Sequence, residues 1–536
     1  MQMQAGGRFG VSNVELGCPF SPGLGAVSAN SVPTSSTSVV DPGAPVWSGH
    51  EGVVMLATEI GPFSAAVQML AALDNGEISS TELVEMQIDR IDERDGELNA
   101  IPVRTFDRAR DAAAAADAAR ARGHRAPLLG LPLTLKESTQ VAGLPQSAGI
   151  NVLRDYRPAT DGLVARRVFA AGACLLGKTN IPVALGDWQA NSPVYGRTNN
   201  PWDLARTPGG STGGGSAALA AGMTPLEIGS DIGGSIRVPA AYCGVYGHRP
   251  SETAIPRAGA FPFGDVENPA IVIGVQGPLA RTMADIELLF DVVAGPSEGE
   301  GAGWQLALPP ARHSTLAGFR VAIMPPTALA QPSEAMQEKV DELASFLGRA
   351  GSTVAQAMPE LDQHAYFADY LTLLTVITSL GLPREARELA ARGTGAGNDE
   401  FLDASRAGYL IDANAYIDLL SRREAARAVW RTFFSEWDIL LCPTALDVAF
   451  EHQGGDQDQR TLTIDGRSVN YMMNIVYPMW AIHAGQPATA FPAGLSSGGL
   501  PVGLQAIGPY LSDRTTMQFA RLLERDWHAF ESPPGY

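Results

Sequence analysis

Thr207-Pro208-Gly209-Gly210-Ser211-Thr212-Gly213-Gly214-Gly215-Ser216-Ala217-Ala218-Leu219-Ala220-Ala221-Gly222 carries six glycines in sixteen residues. Seven residues further on, Gly229-Ser230-Asp231-Ile232-Gly233-Gly234-Ser235-Ile236-Arg237-Val238-Pro239 repeats the theme. Each stretch sets a serine directly after a Gly-Gly pair: Ser211 in the first, Ser235 in the second. Glycines packed this densely let the backbone take unusual dihedrals or approach a neighbour closely. Turns of this kind expose successive N–H groups, which is what an oxyanion hole requires. A helix of small residues, Ser216 to Ala221, is expected between them. The plain alternative is a pair of flexible loops with solvated serines. The Ala-rich run after one loop and the Ile-Arg-Val-Pro run after the other argue against it.

Around this centre the chain alternates. Short apolar runs, read as strands, fall at Leu131–Leu135, Cys174–Leu176, Arg320–Met324 and Ile439–Leu441. Longer helical patterns fall at Leu163–Ala171, Met283–Val293, Ser333–Arg349 and Asp513–Arg525. Strand–helix alternation predicts an α/β fold, a central sheet with helices on both faces. Ser79 and Glu82 form a capping box ahead of a helical run, and the Ala-rich Asp107–Arg122 stretch is a strong helix former stopped by Gly123. No internal repeat and no linker interrupts 55–536, so one large domain is expected there. Residues 1–54 are Ser-, Pro- and Gly-rich without helical or strand period and read as a disordered tail. Met55 precedes the first periodic segment, and the natural chain is expected to start at or near it.

The chain has 536 residues, 45% hydrophobic and 18% charged, with a net charge of −19. That composition buries a large core and excludes wholesale disorder. The acidity argues against nucleic acid or an anionic membrane as a partner, since both require clustered positive charge. No stretch offers about twenty unbroken apolar residues, so no membrane span is expected. Cys18, Cys174, Cys243 and Cys442 are scattered without C-x-x-C pairing, which points to reduced thiols in a cytoplasmic protein, not to disulfides or a metal site.

Two familiar patterns fail. Gly172-Ala173-Cys174-Leu175-Leu176-Gly177-Lys178-Thr179 fits the phosphate-loop pattern, but its middle reads as a buried strand and Pro182 opposes the helix that should follow. The G-x-S-x-G pattern occurs around Ser211, Ser297 and Ser496, and no histidine stands in a context that would complete a triad.

Lysine is more telling. Of 38 basic residues only Lys136, Lys178 and Lys339 are lysines. A chain that uses Arg for plain positive charge keeps Lys for a reason. Lys136 closes the apolar run Leu131-Pro132-Leu133-Thr134-Leu135. A buried Lys can deprotonate and act as a base, whereas Arg cannot. Lys178 and Lys339 read as a turn residue and an exposed helix residue.

Residues 209–239 closely resemble the amidase signature family of serine hydrolases. The likeness extends over most of 60–530 through Gly177-Lys178-Thr179-Asn180, Tyr195-Gly196-Arg197-Thr198-Asn199-Asn200-Pro201-Trp202-Asp203 and Gly499-Leu500-Pro501-Val502-Gly503-Leu504-Gln505. The resemblance implies a mixed, twisted sheet and a Ser–cisSer–Lys catalytic set. Carried over by motif, Ser235 is the nucleophile, Ser211 the bridging serine after a cis peptide, and Lys136 the base. The N–H groups of Ile232, Gly233, Gly234 and Ser235 would hold the oxyanion, and Thr212, Asp231 and Arg237 would brace the site. Thr212 stands where the family often has a second serine, and Gly247-His248-Arg249-Pro250 where it often has Gly-Leu-Lys-Pro; no catalytic role is assigned to the latter. The expected activity is hydrolysis of a small apolar or aryl amide or carbamate, with esterase activity alongside. The alternative is the amidase-type subunit of a tRNA-dependent amidotransferase. Neither cofactor nor metal is expected, and a homodimer is compatible with this reading. The segments Asp187–Tyr195, Tyr366–Leu380 and Tyr471–His483, with Trp188, Tyr366, Phe367, Tyr370, Tyr477 and Trp480, are expected to line the substrate cleft.

Overall fold

The apolar runs become strands because each alternates its side chains between two buried faces. In Ile439–Pro443, Ile439 and Leu441 pack into one core with the helices Met283–Val293, Glu334–Arg349 and Asp513–Asp526. Leu440 and Cys442 of the same strand pack into another with Gln363–Thr378 and Ala413–Glu436. Helices therefore cover both faces, and the sheet between them is buried. Each leucine so enclosed contributes about 1.5–3 kcal/mol.

The computed structural model describes residues 59–260, 271–392 and 399–536. The Ser-, Pro- and Gly-rich stretch 1–54 lies outside the described residues. Glu59–Tyr536 is one unit built on an eleven-stranded sheet. Across it the strands run Val103–Arg104, Cys174–Thr179, Pro132–Lys136, Leu226–Asp231, Val275–Ala280 and Tyr246–Arg249, then Ala488–Leu495, Pro501–Ile507, Ile439–Pro443, Arg320–Ile323 and Thr353–Gln356. The sheet is mixed. Pro132–Lys136 pairs in parallel with both of its neighbours, whereas the strands from Leu226–Asp231 to Ile439–Pro443 pair antiparallel. Among the described residues no helix is long and apolar enough to cross a membrane.

The local signals act as their chemistry requires. Ser79 caps Ser80–Leu98: its hydroxyl accepts from the Glu82 N–H at 3.1 Å, and the Glu82 carboxylate accepts from the Ser79 N–H at 2.8 Å. Gly172, at φ +92°, turns the chain from Leu163–Ala170 into the buried strand Cys174–Thr179, so the phosphate-loop look-alike is a helix–strand junction. The small-residue helix starts earlier than Ser216, at Gly213, and ends at Ala220, with every residue buried. Its glycines are needed for close approach. A Cβ on Gly214 would lie 2.3 Å from the Asn180 nitrogen, and one on Gly215 2.6 Å from the Glu227 carboxylate.

Lys178 is not in a turn. It lies in Cys174–Thr179, fully buried, and donates to the Pro145 carbonyl. Burial pulls its ammonium down to about 8 against the charge of Glu137. Lys339, half-buried on Glu334–Arg349, pairs with Glu342 at 2.8 Å. Cys174, Cys243 and Cys442 are free and buried.

Candidate active site

Two parallel neighbours, Pro132–Lys136 and Leu226–Asp231, end at the same edge of the sheet. Carboxyl ends of parallel strands are where α/β proteins commonly hold ligands. Lys136 is the last residue of the first strand, and the loop 232–236 leaves the second. The helix Gly213–Ala220 packs over both, and Ser211 immediately precedes its N-cap Thr212. The Gly210–Ser211 peptide is cis.

These elements bring the expected residues together. Lys136 Nζ donates to Ser211 Oγ at 2.7 Å and to Ser230 Oγ at 2.9 Å. The Thr212 N–H donates to the Ser235 carbonyl at 3.2 Å, which ties the two serine loops side by side. Exposure grades along the set: Lys136 0%, Ser211 1%, Ser235 6%. The lysine is sealed and Ser235 is the most exposed of the three.

Burial pushes the Lys136 ammonium down to about 7, opposed by the negative charges of Asp231 and Glu227. Glu227 lies on the adjacent strand, opposite Thr134. Burial raises its carboxyl to about 7, against hydrogen bonding from Thr134 and Thr179 and the charge of Lys136; Thr179 Oγ1 donates at 2.7 Å. Asp231 is the reverse case: burial would raise it, but the guanidiniums of Arg237 and Arg249 hold it down to about 2. Arg237 Nε and Nη2 donate to the two Asp231 oxygens at 3.0 and 3.1 Å. Asp231 in turn accepts from the N–H groups of Gly234 at 3.0 Å and Ile236 at 3.2 Å, so a buried ion pair fixes the turn.

That bond corrects one expectation. The Gly234 N–H is occupied by Asp231 Oδ1, so the open donors of the loop are Ile232, Gly233 and Ser235, whose N–H groups have no partner among the described residues. Gly234 instead supplies the turn: its φ is +90°, and a Cβ there would lie 2.8 Å from Pro478 Cγ. Thr212 braces through its backbone; its Oγ1 has no partner among the described residues.

The motifs outside the two loops are supports. Gln505 accepts from Arg237 Nη1 at 2.6 Å and donates to the Pro443 and Tyr477 carbonyls at 2.9 and 3.2 Å. Asn200 donates to the Thr207 and Tyr242 carbonyls at 3.0 and 2.9 Å, and Tyr195 donates to buried Glu137 at 2.7 Å. Sequence reasoning missed Ser230 as a partner of Lys136 and Arg249 as a donor to the Asp231 carbonyl at 3.1 Å. The signal that could have found both is a polar residue flanking a buried strand end.

The aromatic segments divide. Tyr366 and Trp480 stack at 5.1 Å and, with Phe367 and Tyr477, belong to the core and do not form an open cleft wall. Trp188 and Tyr370 are also buried, but their polar ends reach the Ser235 loop: Trp188 Nε1 donates to the Gly233 carbonyl at 3.0 Å and Tyr370 Oη to the Ile232 carbonyl at 2.8 Å.

Comparison with known proteins identifies the family. The amidase family model matches residues 82–517. A glutamyl-tRNA(Gln) amidotransferase subunit of Anaeromyxobacter sp. (strain K) is 32% identical over 485 residues, covering 85% of this chain and 95% of that one. A bacterial aryl acylamidase of the amidase signature family superposes with a TM-score of 0.73 at 25% identity, over 88% of this chain and 99% of the other. An inhibitor-bound structure from a vestigial complex bearing on the origins of an s-triazine catabolic enzyme gives 0.74 at 26% identity, over 87% and 99%. Fold and family model agree: the chain belongs to the amidase signature family.

Proposed function

We propose that the protein hydrolyses the C–N bond of a small apolar or aryl amide or carbamate through an acyl-enzyme on Ser235. The observation that carries this is a fully buried lysine nitrogen 2.7 Å from the Ser211 hydroxyl, with its ammonium pulled down to about 7. In its neutral form Lys136 takes a proton from Ser211, which takes one from Ser235 as Ser235 Oγ attacks the carbonyl carbon. The oxyanion is held by the N–H groups of Ile232, Gly233 and Ser235; losing one such donor typically costs about 2.7–4 kcal/mol. The relay then reverses and protonates the leaving amine, which could not depart as an anion. Water cleaves the acyl-enzyme along the same path. An aryl or apolar preference is supported by the resemblance to a bacterial aryl acylamidase. A cytoplasmic location fits the free thiols.

A second reading is kept because of the glutamyl-tRNA(Gln) amidotransferase relatives, at 30–32% identity. In that reading the same relay releases ammonia from glutamine for transfer within an assembly.

The test is a panel of anilides, aliphatic amides, carbamates and p-nitrophenyl esters, assayed with the wild type and Ser235→Ala. Turnover by the isolated wild type, abolished in Ser235→Ala, supports the hydrolase. A silent panel, with glutaminase activity only when the other amidotransferase components are added, supports the second reading. Full turnover by Ser235→Ala removes Ser235 from the chemistry.

A further inference from the structure

Every carbonyl of the loop around Ser235 is taken by a donor. The Asp231 carbonyl accepts from Arg249 Nη1 at 3.1 Å, Ile232 from Tyr370 Oη at 2.8 Å, and Gly233 from Trp188 Nε1 at 3.0 Å. The Gly234 carbonyl accepts from the Val238 N–H at 2.7 Å and the Ser235 carbonyl from the Thr212 N–H at 3.2 Å. The peptides of this loop are trans. In a trans peptide the C=O and N–H of one unit point in opposite directions. Anchoring a carbonyl therefore aims the N–H of the next residue. One unit displays this directly: Trp188 holds the Gly233 carbonyl on one side, and on the other the Gly234 N–H meets Asp231 Oδ1 at 3.0 Å. By the same geometry, Tyr370 turns the Gly233 N–H away from itself, and that N–H has no partner among the described residues.

We infer that Tyr370 is a positioning residue that sets the Gly233 oxyanion donor by holding the Ile232–Gly233 peptide. The inference rests on the reading of Ser235 as nucleophile. The need for such anchors is physical. A peptide flanked by glycine has little steric resistance to rotation, so the Ile232-Gly233-Gly234 run would not hold its N–H groups in one direction unaided. Preorganised donors gain their effect because nothing has to reorient as charge develops.

The anchor is itself fixed, and so is Trp188 on the adjoining peptide. Tyr370 comes from Gln363–Thr378, is fully buried, and its ring packs edge-on to His483. Burial raises its phenol well above the ordinary value, so it remains a donor across the working range. Trp188 packs against the Tyr471 ring at 5.4 Å. Its neighbour Asp187 is gripped by Arg460 Nη1 at 2.6 Å and by the Tyr471 hydroxyl.

Tyr370→Phe removes only the hydroxyl that donates to the Ile232 carbonyl. With the fastest substrate of the panel, this variant is expected to lose on the order of 10–100-fold in kcat with KM changed by less than about threefold, since a misaimed donor costs less than a deleted one. Affinity for a trifluoromethyl ketone bearing the same acyl group, which presents a tetrahedral oxyanion, is expected to fall in parallel with kcat, while the Tm stays close to that of the wild type. A merely structural role would lower the Tm and leave the ketone affinity of the folded fraction unchanged. Should Tyr370→Phe fail to fold, Tyr370→Met, which also lacks the donor, decides. The inference is overturned if the folded Tyr370 variant keeps wild-type kcat and ketone affinity while Ser235→Ala is inactive. If Ser235→Ala is itself active, it is the nucleophile assignment that fails.

Discussion

Lys136 Nζ lies 2.7 Å from Ser211 Oγ although 75 residues separate them in the chain. Neither group meets solvent: Lys136 is 0% and Ser211 1% exposed. A buried ammonium is costly, so the pair makes physical sense as a neutral amine beside a hydroxyl that shuttles a proton.

Arginine at this position would keep the charge and lose the base. Lys136→Arg and Lys136→Ala are each expected to lower kcat/KM by about 10²–10⁴-fold, the usual span for a positioned general base. Steady-state kinetics at pH 8 checks this. An arginine variant within a few-fold of the wild type would exclude lysine as base.

Because the base works only when deprotonated, kcat/KM should rise with pH through about 7, where burial places Lys136. The negative charge of Glu227 favours the ammonium form, so Glu227→Gln should move the acidic limb to lower pH. The amide oxygen can still accept from Thr179 Oγ1. Glu227 titrates near the same pH, so the midpoint belongs to the pair. A limb unmoved, or moved upward, would show that Glu227 does not govern Lys136.

Stability carries the same signature. Unfolded lysine titrates near about 10.4, and native Lys136 near about 7. Between these values the unfolded chain binds more protons, so folding stability rises with pH there; below about 7 the burial penalty applies in full. Lys136→Met removes this contribution. The gain in stability from pH 7 to 10, measured by urea denaturation, should be smaller in Lys136→Met than in the wild type. Equal gains would mean that native Lys136 is not depressed.

Gly234 turns the Ser235 loop at φ +90°, with Pro478 Cγ 2.8 Å from the site of a Cβ. Gly234→Ala should cost about 1–3 kcal/mol through overpacking, with further strain from the left-handed conformation. Differential scanning calorimetry should show a lowered Tm together with lost activity. An unchanged Tm would indicate a loop that relaxes freely.

Much of the site was legible because its chemistry leaves marks in composition. Lys136 stood out among 35 arginines, and Ser211 and Ser235 each followed a Gly-Gly pair. Strands with plain apolar runs, such as Ile439–Pro443, were visible as well. The strands Tyr246–Arg249 and Val275–Ala280 were not, because their buried positions include His248, Arg249 and Gln276. These residues are satisfied by distant partners, as where His248 meets Thr489 at 2.9 Å and Asp513 at 3.2 Å. Periodicity cannot report such long-range compensation. The same limit hid Lys178, and it hid the difference between Tyr370, which holds a loop carbonyl, and Tyr366, which packs on Trp480.

The central claim is that Ser235, activated through Ser211 by neutral Lys136, is the residue that becomes acylated. Its most direct test is peptide mapping by mass spectrometry after treatment with diisopropyl fluorophosphate, on the wild type and on Lys136→Ala. The account predicts a single diisopropylphosphorylated residue, Ser235, modified far more slowly without Lys136. A label on another serine, or equally fast labelling of Ser235 in Lys136→Ala, would contradict it.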